Sequence, residues 1–186
     1  MTRTRLGPAL SVVAVALLPP SALAGAQPSP YTEHSGREIK ALSPEEVDQL
    51  LTGQGMGLAL AGELNGYPGP KHVLELAAEL ALTEDQRQAA QRVHDAMLEQ
   101  AQELGRQIVE GERRLDALFA QGEATAETLR PALDHLATLQ AALRYTHLEA
   151  HLETKALLTE AQVARYTHLR GYAAEGKHSG HHHGPQ

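Results

Sequence analysis

Cysteine and tryptophan are absent from this 186-residue chain, and phenylalanine occurs only once. The lack of cysteine excludes a disulfide, a thiolate metal ligand, a thiol nucleophile and a lipid anchor on cysteine. With so few aromatic residues, the core must consist of Leu, Ala and Val, which favours packed helices over a sheet. We therefore predict an all-α protein with a single core.

Basic residues are scarce as well, with 16 Lys and Arg against 23 Asp and Glu, a net charge of −7. Nucleic acid is an unsuitable partner, because its recognition requires a basic patch. The chain also contains no G-x-S-x-G, no P-loop and no dinucleotide fingerprint. We expect neither a nucleic-acid-binding protein nor an enzyme.

The N-terminal residues 1–26 are typical of a secretory signal peptide. Arg3 and Arg5 precede an uncharged apolar run from residue 6 to residue 18, and Ala22-Leu23-Ala24 offers a cleavage site. That run is too short for a bilayer, which needs about 20 residues. We expect an exported, periplasmic protein that is not inserted in the membrane, followed by a flexible leader over residues 27–42.

The next segment predicts short helices separated by turns. Ser43-Pro44 can cap and begin a first helix, which glycines at 53, 55 and 57 soon interrupt. A further helical turn fits residues 58–64, before the turn sequence of residues 65–70. Pro70 can begin another short helix that runs to about Ala81.

Two long apolar stripes follow, and they predict a helical hairpin. The first covers residues 84–120 at steps of three and four: Ala90, Val93, Met97, Ala101, Leu104, Ile108, Leu115 and Leu118. After a break at residues 121–125, the second comprises Leu129, Leu133, Leu136, Leu143, His147, Ala150, Thr154 and Leu158. The short break implies antiparallel packing. We predict a long antiparallel helical hairpin with flanking short helices in a domain of residues 43–172.

A repeated pentapeptide pattern, Leu-Thr-acidic-x-Gln, occurs at residues 82–86 and again at residues 158–162. Each copy fits a capping box, in which the Thr hydroxyl accepts the N–H three residues on and the Gln side chain accepts the Thr N–H. Each copy therefore predicts a helix start, the second for a short helix that Gly171 ends.

This repeat resembles the LTxxQ signature of small periplasmic helical proteins, a family that includes Spy, CpxP, ZraP and CnrX. The resemblance covers residues 43–172, and the stretches 56–70 and 72–76 look like the branch of periplasmic heavy-metal sensors. It implies a Spy/CpxP-like hairpin fold, a homodimer and a role in metal sensing, resistance or envelope stress.

His147 and His151 form the most suggestive pair, because residues four apart lie on one face of a helix. Neutral imidazoles suit Zn, Ni, Co and Cu. A packed or solvated histidine pair is the alternative interpretation. The segment is not the zincin H-E-x-x-H, since its Glu stands at the third position.

The resemblance also implies a ligand scheme. Proteins like CnrX bind metal through a His-x-x-x-His on an early helix and a His-x-x-x-Met on a later one, so His147 and His151 correspond to the later pair. The early segment here lacks His-x-x-x-His, and its candidate ligands are Met56, Glu63 and His72. His72 also fits an ordinary surface histidine.

Other histidines complete the set of candidates. The tail, residues 173–186, carries His178, His181, His182 and His183, which are typical of a low-specificity metal chelator or of an expression tag. His94 and His135 lie beside Asp95 and Asp134; either could join a metal site across a dimer, but solvated pairs are the plainer interpretation.

Two hypotheses follow from these features. In the first, the protein binds a divalent transition metal through histidines, and a membrane-bound anti-sigma factor or sensor protein reads the resulting change. In the second, the protein is an ATP-independent chaperone (holdase) that holds unfolded client proteins, and metal is incidental.

Overall fold

A computed structural model describes residues 29–172, so the predicted signal peptide and the His-rich tail lie outside the described residues. The helices are α1 (Pro44–Leu51), α2 (Leu60–Glu63), α3 (Pro70–Glu75), α4 (Glu84–Ala120), α5 (Ala126–Leu157) and α6 (Glu160–Leu169), after a 3-10 helix at Thr32–His34. No strand occurs between residues 29 and 172. Residues 33–172 belong to one compact unit, and residues 29–32 belong to another. The predicted all-α class is confirmed.

Capping boxes start α4 and α6 at the two repeated motifs. The Thr83 hydroxyl accepts the Gln86 N–H at 3.2 Å, and the Gln86 side-chain oxygen accepts the Thr83 N–H at 3.0 Å. Thr159 and Gln162 repeat this arrangement at 3.2 and 2.9 Å. These bonds satisfy amide groups that a helix start would otherwise leave unpaired. The predicted role of both motifs as helix starts is confirmed.

The two long helices form an antiparallel pair. Helix α4 runs unbroken for 37 residues, which corresponds to about 55 Å. The connection at residues 121–125 turns through Gly122, whose φ of 74° suits a residue without a Cβ. At the far end of the pair, the Gln86 amide donates to the Leu157 carbonyl. The predicted hairpin is confirmed as a long helix pair with flanking short helices.

The core has two parts at different positions along α4, one at residues 101–109 and one at Ala90. The larger cluster joins α1, α4 and α5 and consists of Ile39, Leu50, Ala101, Ile108, Val109, Leu139 and Leu143. The smaller one joins α3, α4 and α6 and consists of Val73, Leu80, Ala90 and Tyr166. Ile39, at 3% exposure, lies inside the segment predicted as a flexible leader. The leader prediction did not account for this buried side chain.

Two local features differ from the prediction. Helix α3 ends at Glu75 rather than near Ala81, and the chain turns with Ala81 at a φ of 50°. This turn allows Leu80 to enter the smaller cluster directly before α4 begins. In α5, Leu133 is 49% exposed, while Leu139, absent from the predicted stripe, is buried. Tertiary packing selected these positions, and local periodicity did not reveal them.

Between residues 29 and 172, no helix combines the length and the apolar character that crossing a bilayer requires. The long helix α4 carries charged residues throughout, and several form pairs along its surface, such as Arg106 with Glu103 and Arg114 with Glu110.

Candidate metal centre

His147 lies on the buried face of α5 with an unpaired ring nitrogen. Its side chain is only 4% exposed, and its Nε2 is buried without a hydrogen-bond partner among the described residues. Burial lowers the pKa of His147, and the neighbouring His151 lowers it further. The ring is therefore neutral at pH 7. An unpaired buried nitrogen is costly, and a metal ion is one group that can satisfy it.

His151 lies one turn further along α5, and a contact with the backbone of Tyr67 orients its ring. Its Nδ1 lies 2.7 Å from the Tyr67 carbonyl oxygen. A carbonyl only accepts, so Nδ1 carries a proton, and in the neutral form of the ring Nε2 is the nitrogen with the lone pair. This type of outer contact sets the tautomer in histidines that bind metals.

Gly69 packs directly against the same ring. A Cβ at this position would lie 2.9 Å from His151 Cε1 and Nε2, so any larger residue would displace the imidazole. The turn before α3 therefore supplies both the carbonyl that orients His151 and the space that the ring occupies.

Glu63, at the end of α2, supports this region as a buried carboxylate. Its Oε1 accepts the Tyr166 hydroxyl at 2.5 Å, and its Oε2 accepts the Gly69 N–H at 3.2 Å. Its Oε2 also lies 3.6 Å from His151 Nδ1, and Arg170 Nε lies 3.7 Å from Oε1. Burial and the hydrogen bond to Glu63 raise the pKa of Tyr166. These contacts occupy both oxygens and tie α2 to α5 and α6.

A cavity of about 540 Å³ lies in front of the two imidazoles. Its potential ligands are His72, His94, His147, His151, Met56 and Met97. Of the 11 histidines, four lie in the tail, and four of the remaining seven line this cavity. The structure thus brings together four residues singled out from the sequence: His147, His151, His72 and Met56. The tail residues lie outside the described part of the chain.

Met97 is a lining residue that the sequence did not single out as a ligand, and His94 is one that it offered only as a possible ligand across a dimer. His94 was interpreted as a solvated partner of Asp95, and its Nδ1 does lie 3.2 Å from that carboxylate. Both residues nevertheless line the cavity from α4. The detectable signal was their spacing, because residues three apart lie on one helix face.

His72 reaches the cavity from α3. Its Nδ1 contacts Glu75 Oε2 at 2.8 Å, so its other nitrogen remains available. Glu63, also an early candidate, does not line the cavity but lies behind His151. The site therefore draws its donors from three helices and from the loop that carries Met56.

The donors surround the cavity but do not converge on a point. Within residues 29–172, no three His, Cys, Asp or Glu side chains lie close enough together to hold one metal ion. Several donors must move inward for an ion to be coordinated.

A second cavity, an apolar groove of about 590 Å³, lies beside the larger core cluster. It is lined by residues of α1, α4 and α5 and of the loop between α1 and α2, among them Leu50, Leu58, Ile108 and Leu143. Burial raises the pKa of Glu112 at its edge. Met56 lines both this groove and the histidine-lined cavity.

Comparisons with protein-family models, with curated proteins and with solved structures each gave no match to this chain.

Proposed function

We propose that this chain is an exported metal-binding protein of the heavy-metal sensor and resistance type, and that it binds a divalent transition metal through histidines in the cavity. The observation that carries this proposal is that His147, whose buried Nε2 has no hydrogen-bond partner among the described residues, lines a cavity together with three other histidines. A neutral imidazole in this state is prepared to donate its lone pair to a metal ion.

The ligands have distinct roles in this proposal. His147 and His151 form the fixed half of the site, because α5 holds both rings and the Tyr67 carbonyl orients the second. His72 and His94 complete the set from α3 and α4. An ion bound to all of them joins helices that are otherwise held by packing. Metal thereby favours one arrangement of the helices, in proportion to its differential affinity for the two states.

The family, the location and the partners belong to the same proposal. Two capping boxes at the repeated motifs and a long helix pair support membership of the LTxxQ family. A periplasmic homodimer is supported by exposed apolar side chains on the hairpin, such as Phe119 at 62% and Leu133 at 49%. A membrane-bound anti-sigma or sensor protein would read the metal-dependent change, and the tail histidines would act as accessory chelators.

Calorimetry with Zn, Ni, Co and Cu on the full chain tests the metal site. The four tail histidines are first replaced by Asn, so that the tail cannot contribute. We expect a single ion to bind per chain and binding to disappear in the variant His147→Ala/His151→Ala. The matched control is His168→Ala, an exposed histidine on α6 that does not line the cavity. Binding that resides only in the tail would contradict the proposal.

A holdase is the second candidate, and the apolar groove favours it. This groove and the exposed Leu60, Leu64 and Leu152 offer apolar surface to unfolded chains. The discriminating assay is suppression of aggregation of a denatured client. If the tail-replaced protein suppresses aggregation equally with and without His147 and His151, and binds no metal at the cavity, the holdase is the better account.

A further inference from the structure

The positions of the methionines indicate which kind of metal ion the cavity binds. The chain contains three methionines, and both of those other than Met1 line the histidine-lined cavity. Met97 lies on α4 and Met56 lies on the loop between α1 and α2. Methionine often fills gaps in a core. Met56 does not fit that role, because it is 42% exposed and has a φ of 46°.

The backbone at Met56 supports a functional interpretation. A positive φ is unfavourable for a residue with a Cβ and persists mainly where the surroundings or function require it. The next residue, Gly57, also has a positive φ, of 77°, which a glycine adopts without strain. At Met56 the same conformation falls on a thioether that lines a cavity together with four imidazoles.

The charged residues that line the cavity also indicate which class of metal ion it can hold. Among the described residues that line it there is no carboxylate, and Lys71 adds a positive charge. The Glu63 oxygens are occupied by Tyr166 and Gly69, and Glu75 holds the far side of His72. A divalent ion would therefore keep its full charge in a partly buried site. A monovalent ion has less charge to desolvate, so its burial costs less.

Nitrogen and sulfur donors without carboxylate suit soft ions. Thioethers select Cu(I), whereas carboxylates and carbonyls suit harder cations. We infer that this cavity is selective for monovalent copper, with the sulfurs of Met56 and Met97 joining the Nε2 atoms of His147 and His151. This inference rests on the proposed site at His147 and His151, and it replaces the divalent ion with Cu(I) and the ligands His72 and His94 with the two methionines. The ligands must draw closer together to hold the ion, since no three His, Cys, Asp or Glu side chains of the described residues converge.

The test compares Cu(I) with Co(II) on the full chain with the four tail histidines replaced by Asn. Anaerobic competition with a chromophoric Cu(I) chelator gives the Cu(I) affinity, and direct titration gives the Co(II) affinity. Met56→Leu and Met97→Leu keep the volume and apolar character of the side chain. We expect each to weaken Cu(I) about tenfold or more, as loss of a ligand would, with a much smaller effect on Co(II). X-ray absorption of the Cu(I) form should show sulfur neighbours that decrease in these variants.

The outcomes separate this inference from the function on which it rests. Cu(I) bound through His147 and His151, but unaffected by both Met→Leu changes, would overturn copper selectivity and leave the histidine site intact. A parent protein that binds neither ion would overturn both proposals. If Met97→Leu impairs folding, Met56→Leu alone still tests whether a thioether binds Cu(I). Met56 is an exposed loop residue, so its replacement should leave the fold unchanged.

Discussion

The side-chain amides of Gln86 and Gln162 exchange two hydrogen bonds, from Gln86 Nε2 to Gln162 Oε1 at 2.9 Å and from Gln162 Nε2 to Gln86 Oε1 at 3.0 Å. Each amide also donates to a backbone carbonyl just before the other motif. Gln86 donates to the Leu157 carbonyl, and Gln162 donates to the Leu80 carbonyl. The two repeated motifs therefore contact each other. Each glutamine caps its own helix and also fixes the other helix start.

Replacing either glutamine should destabilise the fold. Gln86→Ala removes the side-chain donor to the Leu157 carbonyl and both hydrogen bonds shared with Gln162, which should cost about 1–3 kcal/mol of unfolding free energy. Because the two residues share their bonds, the double variant with Gln162→Ala should lose less than the sum of the single losses. Urea unfolding measures all three. The exposed Gln100→Ala is the control, and strictly additive losses would contradict the coupling.

Gly105 and Gly111 should respond differently to the same substitution. A Cβ at Gly105 would lie 1.9 Å from the Leu50 carbonyl oxygen, and one at Gly111 would lie 2.7 Å from the Leu136 side chain. Backbone cannot move aside as a side chain can. Gly105→Ala should therefore separate α1 from α4 and cost about 1–3 kcal/mol or more. Gly111→Ala should be nearly neutral, because a helix propensity gain of about 1 kcal/mol offsets rotation of Leu136. Thermal unfolding of both variants provides the check, and equal losses would refute the distinction.

Gly69→Ala should weaken metal binding without reaching the ion itself. The added methyl group displaces the His151 ring from the Tyr67 carbonyl, so the orientation of Nε2 is lost. We expect about a tenfold decrease in Co(II) affinity in the tail-replaced protein, typical of disturbed outer contacts. Gly55→Ala is the matched control, since it also lines the cavity and its Cβ would meet no described atom within 4 Å. An equal decrease in both variants would argue against the role of this ring.

The stability of the metal-free protein should depend on pH through His147. Its pKa is lowered in the folded state, so the unfolded chain binds more protons between that pKa and about 6.5. Stability from this group therefore rises with pH across that window, by at most about 1.4 kcal/mol per pH unit, and is constant above it. His147→Leu should remove this part of the slope.

The same variant separates stability from binding. Because His147→Leu also removes a buried unpaired nitrogen, the variant should be at least as stable as the parent at pH 7 while losing metal affinity. Urea unfolding at several pH values measures both effects. A variant that keeps the parent's slope, or that is much less stable at pH 7, would show that His147 is paired in solution.

Local signals predicted much of the fold. Thr83 and Thr159 begin their helices as the capping pattern indicates, and the stripe from Ala90 to Leu118 gave the length of α4, because caps and periodicity are properties of neighbouring residues. Contacts between distant residues were beyond such reasoning. The burial of Leu139 in place of Leu133, the approach of Leu50 to Gly105 and the pairing of the two glutamines depend on how helices pack.

In the candidate site, too, local spacing predicted some residues, whereas contacts between distant residues could not be predicted. The spacing of His147 and His151 identified one face of α5, and their residue types indicated a metal. Met97 could be placed in the same cavity only after α4 and α5 were packed together. The backing of His151 by Tyr67 and Gly69 depends on a turn more than 80 residues away in sequence, which no local pattern reveals.

Met56 lines both the histidine-lined cavity and the apolar groove. A single thioether cannot fill both at once, so whatever draws it towards one side vacates space on the other. If the proposed ion and an apolar guest both contact Met56, their binding would therefore be linked through this one side chain. Such linkage is reciprocal: an apolar guest that engages Met56 must reduce affinity for the ion by the same factor by which the ion reduces affinity for the guest.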